Sequence, residues 1–119
     1  MALLDQILNL IENPSFEVVD VVQLGKVGLR QLTIEARDEW FEAQKNDPNT
    51  ALSVLFKNTV CDPVSGELAL TTLENGRLRK LPTVVEKDLF SKICKANAIK
   101  TQEEAKQEEE LKNSEAGQN

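Results

Sequence analysis

VVQLGKVGLRQLT, residues 21–33, is the stretch that decides how this chain is read. It spells strand, glycine turn, strand, and then a threonine that opens a helix. Upstream, FEVVDVVQ (16–23) is rich in β-branched residues, which suit a pleated strand. Gly25 is the turn, and KVGLRQL (26–32) is the returning strand. Alternation places Val27, Leu29 and Gln31 on one face and Gly28, Arg30 and Leu32 on the other. A two-stranded ribbon is marginal in water, so this hairpin must lean on helices or pair with a second copy. The free edge of such a ribbon invites another chain. With an apolar face from Val27 and Leu29, that makes Leu24, Val27 and Leu29 candidate oligomer contacts.

On the N-terminal side, ALLDQILNLIE (2–12) is a short amphipathic helix with Leu3, Leu4, Ile7, Leu8 and Ile11 on one side. Asn13-Pro14 ends it, because the residue before a proline is pushed out of the helical region. On the C-terminal side, Thr33 is a side-chain cap for a helix through IEARDEWFEAQK, with Glu35 and Asp38 near its positive end. Ala36, Trp40 and Ala43 form its apolar stripe, widened by Phe41. Trp40 and Phe41 have two readings: core anchors of this helix, or an interface hot spot of the kind aromatic residues supply.

Asp47 and Pro48 open the next helix, with proline in its favoured first position. TALSVLFKNTV (50–60) is apolar almost all round and is expected to be the central buried helix. CDPVSGE (61–67) is turn chemistry. LALTTLENGRLRKL (68–81) is either a short helix broken at Gly76 or a second hairpin turning at Asn75-Gly76; the helix is favoured. PTVVEKDLFSKICKAN (82–97) is a helix whose face carries Val85, Leu89, Phe90, Ile93, Cys94 and Asn97.

The expected architecture is therefore mainly α with one small N-terminal β-hairpin: a compact four-to-five-helix domain over residues 1–100, with the hairpin near 17–32, and a polar tail over 101–119. Of the chain's net charge of −6, the tail carries −4, leaving the domain at −2. Such a balance argues against nucleic acid as the main partner, since phosphate contacts need a basic surface. No apolar run approaches the roughly 20 residues of a membrane span. With four Phe, one Trp and no Tyr, the core must be built from Leu, Val and Ile.

Reactive chemistry is sparse. The chain has no histidine, so no nucleophile–histidine pair can form, and Cys61 and Cys94 have no base nearby in sequence. Phosphate-binding glycine loops and zinc spacings are missing. The two cysteines sit in apolar runs and are expected to be buried thiols rather than a disulfide or metal pair. No catalytic residue, metal or cofactor is expected.

The segment LGKVGLRQLTIEARDEW (24–40) resembles the start of the tail assembly chaperones of long-tailed siphophages, in which an LRQL-like strand is followed by a threonine opening a charged helix. ALSVLFKNTVCDPVSGELAL (51–70) is similar to the family's apolar helix and glycine turn, and LPTVVEKDLFSKICKAN (81–97) to its helix ending in Asn. The likeness runs over residues 18–113 in order, and Ala69 departs from it where a larger residue is usual. It implies a non-enzymatic, self-associating chaperone that coats the tape measure protein and recruits tail tube protein in the cytoplasm of the infected host. It also implies that a longer, frameshifted form can accompany the short one. A second reading of the residues stays open: a small helical regulatory adaptor that binds one partner helix and has no part in virion assembly.

Overall fold

The computed structural model describes residues 2–99, so the expected polar tail at 101–119 lies outside the described residues. The described residues form five helices and a small antiparallel sheet covered by α3 and α5: α1 (Ala2–Glu12), β1 (Phe16–Val21), β2 (Gly25–Arg30), α2 (Ile34–Asn46), α3 (Pro48–Thr59), β3 (Val60–Cys61), α4 (Asn75–Leu78) and α5 (Thr83–Ala96). The mainly α architecture with an N-terminal hairpin is as expected.

The hairpin has a register in which Val19 faces Val27 and Glu17 faces Leu29. Its turn is Val22–Leu24 rather than Gly25 alone. Leu24 N–H closes on Val21 O, and Gln23 and Gly25 both take positive φ. Gly25 meets this demand without strain, having no Cβ.

The sheet has a third strand that the sequence reading did not contain. Directly after α3 the chain extends for two residues, Val60 and Cys61, which pair with Leu29 and Gly28. This makes β2 the central strand in the order β1-β2-β3. The ribbon is thus completed by its own chain. The loop that follows folds back, with a bridge between Cys61 and Leu68. Asp62 organises it: its carboxylate accepts from the Val64 and Ser65 N–H groups at 2.8 and 2.9 Å. Gly66 reverses the chain at φ +77°. Segment 68–81 contains a single helical turn, α4, starting at Asn75. This favours the helix over a second hairpin, although Gly76 lies inside the turn instead of breaking it.

Residues alternating along the sheet reach both faces. Val21, Val27, Leu29 and Val60 join Trp40, Leu55, Phe56, Val85, Leu89 and Ile93 in one hydrophobic cluster. On the opposite face, Gly28 lies under Cys61, and the Arg30 Nε donates to Gly66 O at 2.8 Å. α3 is the central helix, as expected, with Leu55 and Phe56 fully buried. Its buried face also includes Ser53 and Thr59. Their hydroxyls are satisfied by Asn75 O at 3.4 Å and Leu55 O at 2.8 Å, which removes the penalty of burying them unpaired.

Local signals set the helix ends. The Thr33 hydroxyl accepts from Ala36 N–H at 3.0 Å, and Pro48 opens α3. α5 ends in a left-handed residue, Ala98 at φ +55°, with Ile99 N–H reaching back to Cys94 O at 2.7 Å. That is a Schellman closure without the usual glycine. Asn97, expected on the apolar face of α5, is its C-cap. Its Oδ1 accepts from Leu32 N–H at 2.6 Å and its Nδ2 donates to Ile93 O. The end of α5 is thereby fastened to the segment between β2 and α2.

Candidate partner-binding surface

Of the five residues expected to contact a partner or a second copy, the fold buries three. Val27, Leu29 and Trp40 are all core residues of one chain. The face of β2 that could have met another copy is closed by α3 and α5. Leu24, at the tip of the hairpin, and Phe41, on α2, are half exposed and stay on the surface. The pair of aromatic neighbours is thus divided: Trp40 anchors the core, and Phe41 lies beside it with ring centroids 5.6 Å apart.

Phe41 borders a cavity of about 160 Å³ with Leu32, Ile34, Arg37 and Ile99. Ile34 is 74% exposed at its mouth. The cavity exists because Thr33 starts α2 where Asn97 ends α5, leaving apolar side chains from both segments around a gap.

A second open apolar feature is α1. It carries no buried residue, although its sequence is strongly amphipathic. Leu3, Leu4, Leu10 and Ile11 are each about two-thirds exposed, and Ile7 and Leu8 nearly half. An apolar stripe of this extent is unusual on a protein that works alone. The sequence showed the stripe; that no described residue covers it is visible only in three dimensions.

A third feature surrounds α4. Two adjoining cavities, of about 270 and 280 Å³, share Leu78 and Leu81. One is edged by Arg77 and Lys80 and the other by Arg79 and Glu86. The sequence reading did not single out these cations, yet RLRK (77–80) is a compact basic cluster in an acidic chain.

Cys61 and Cys94 are both buried, as expected. Burial pushes the Cys61 thiol up, against the opposing influence of Arg30. Asp62 is held below the usual carboxylate range by the N–H groups of Ser65 and Val64, and Asp88 by the N–H of Val22 and the ammonium of Lys92. The two carboxylate shifts come from hydrogen bonds that hold the fold. Among the described residues, no group of three or more Cys, Asp or Glu side chains is placed to hold a metal ion, and no helix is long and apolar enough to cross a membrane.

The class defined by this fold is a small, mainly helical protein with a hairpin-based sheet. The solved structure of the bacteriophage HK97 tail assembly chaperone is of this class. It matches with a TM-score of 0.54 and 25% sequence identity, over 75% of this chain and 91% of that one. The resemblance to phage tail assembly chaperones is borne out by this match, and the part of it read from residues 100–113 lies outside the described residues. Neither a protein-family model nor a curated protein matches the chain.

Proposed function

We propose that this protein is a non-enzymatic tail assembly chaperone that self-associates, covers the tape measure protein and recruits tail tube subunits in the cytoplasm of the infected bacterium. The observation that carries this reading is the fold shared with the HK97 chaperone over nearly all of that protein's length. The surface supports it. A long helical protein awaiting enclosure exposes apolar stripes, and a partner covers them with grooves and aliphatic side chains rather than reactive groups. Leu24, Ile34 and Phe41 are apolar and exposed here. Residues 1–100 act in this reading as the chaperone domain, and residues 101–119 as a polar tail.

Co-expression with the tape measure protein and the tube protein of the same phage tests the reading. The chaperone is expected to keep the tape measure protein soluble and to co-purify with it, and Phe41→Asp to weaken that association while the fold is retained. A tape measure protein that is equally soluble and never retained on the tagged chaperone would overturn the proposal.

A further inference from the structure

We infer that α1 is an exchanged arm: its apolar face docks into the cation-edged groove around α4, Leu81 and Pro82 of a second copy of this chain. The inference deepens the self-association proposed above and rests on it.

Two features of one chain match each other. The first is α1, an 11-residue helix with no buried residue and an unbroken apolar stripe. Its ionic residues are Asp5 and Glu12, both acidic, and the whole of residues 1–25 contains no Lys or Arg. The second is the pair of cavities that meet at Leu78 and Leu81, with Leu52, Leu73 and Pro82 supplying further apolar wall. Its margin carries three exposed cations, Arg77, Arg79 and Lys80, against one half-buried acid, Glu86, so cations prevail. None of the three forms an ion pair among the described residues. An apolar helix flanked by acids and an apolar groove flanked by cations are complementary in both respects that set register and partner choice.

The other occupants fit less well. Pairing two α1 helices would cover the stripe but bring together surfaces of the same charge sign and leave the cations unanswered. The acidic segment 103–110 could answer the cations, but it contains no large apolar residue to fill the groove. No residue of α1 lines either cavity in its own chain, and the Asn13–Ser15 connection spans at most about 10 Å.

In this arrangement each copy gives one helix and offers one groove. The contact is heterologous, so further copies can add, into a ring or an open array according to the rotation between neighbours. The mass should rise with concentration, and the association should weaken with salt because its margin is ionic.

Complementation tests this on the full chain by sedimentation velocity, with circular dichroism to monitor the fold. A helix-defective variant, Ile7→Asp/Leu8→Asp, changes only exposed or half-exposed positions, as does a groove-defective variant, Arg77→Glu/Arg79→Glu/Lys80→Glu. Each alone is expected to associate at least tenfold more weakly than wild type. Mixed in equal amounts, they should form a 1:1 dimer and nothing larger, since one intact helix and one intact groove remain. Adding Asp5→Lys/Glu12→Lys to the groove-defective variant should restore multimers. A wild-type protein that is monomeric at all concentrations would remove self-association itself. Multimers that survive the Ile7→Asp/Leu8→Asp change would leave self-association standing and overturn the arm. Loss with the α1 variant alone, the groove-defective variant still forming multimers, would also overturn it, in favour of α1 pairing with α1. Loss with both variants but no dimer on mixing would overturn the helix-to-groove match itself. Multimers abolished by deleting residues 101–119 but unaffected by the α1 variant would assign the groove to the tail instead.

Discussion

Asp88 of α5 accepts a hydrogen bond from the backbone N–H of Val22 at 2.9 Å, across 66 residues of sequence. The same carboxylate oxygen holds Lys92 at 3.1 Å, one helical turn on. Lys92 in turn donates to Asp20 O. These contacts fix the end of the hairpin against the helix that covers it.

The Asp88 contact should be visible in the pH dependence of stability. Its partners depress the folded-state pKa, so the carboxylate stabilises the fold above the unfolded-state value of about 4, and that stabilisation is lost as pH falls through the lower folded-state value. Asp62 acts with the same sign. Asp88→Ala is expected to lower the thermal midpoint at pH 7, with the gap to wild type closing as pH falls below about 4. Thermal melts from pH 7 to pH 3 check this; a gap that stays constant would mean that the charge is immaterial.

Gly28 faces Cys61 across the β2–β3 pairing, and a Cβ at this position would sit 2.7 Å from the Cys61 Sγ and 3.1 Å from two carbonyl oxygens. Gly28→Ala should therefore cost about 1–3 kcal/mol through overcrowding. Cys61→Ala in the same chain removes the nearest atom, so the double variant should lose less than the sum of the singles. Chemical denaturation of the four proteins measures that coupling, and simple additivity would contradict the contact.

Leu29 is 1% exposed, whereas Leu24 at the hairpin tip is 50% exposed. Leu29→Asp should then unfold the domain: losing a core leucine alone costs about 2–5 kcal/mol, and the new carboxylate has no partner. Leu24→Asp should leave the circular dichroism spectrum and midpoint unchanged while affecting only binding. A folded Leu29→Asp protein of lower mass would instead restore the hairpin face as an intermolecular contact.

Ala98 closes α5 in the left-handed region at φ +55°. An L-residue is strained there by about 1–2 kcal/mol, and glycine is not, though glycine loses more freedom on folding. Ala98→Gly should stabilise the protein by about 0.5 kcal/mol, a rise of a few degrees in the thermal midpoint. A lower midpoint would show that the methyl group contributes packing that outweighs the strain.

Much of this fold was legible in the sequence because its signals are local. Thr33 caps its helix through a residue three places on, and Pro48 needs no partner to begin one. The spacing of Val85, Leu89 and Ile93 identifies the buried side of α5 without reference to what covers it. The hairpin was legible for the same reason, its two strands being joined by a three-residue turn. The apolar stripe of α1 was equally plain.

Tertiary structure decided the rest. Two residues, Val60 and Cys61, are too few to show a strand period, and their strand exists only because β2 offers an edge that α3 delivers them to. That pairing, together with the cover from α3 and α5, turned Val27 and Leu29 from a possible intermolecular face into core. It also made Gly28 a packing requirement. Trp40 and Phe41 are adjacent in sequence, but a helix turns about 100° per residue, so only one of them could face the core. α1 shows the converse: its amphipathicity is written in eleven residues, but whether a stripe is covered depends on the rest of the chain reaching it. Periodicity determines which side of an element is apolar; long-range packing, limited by the space around a single core, determines which of those sides are left for a partner.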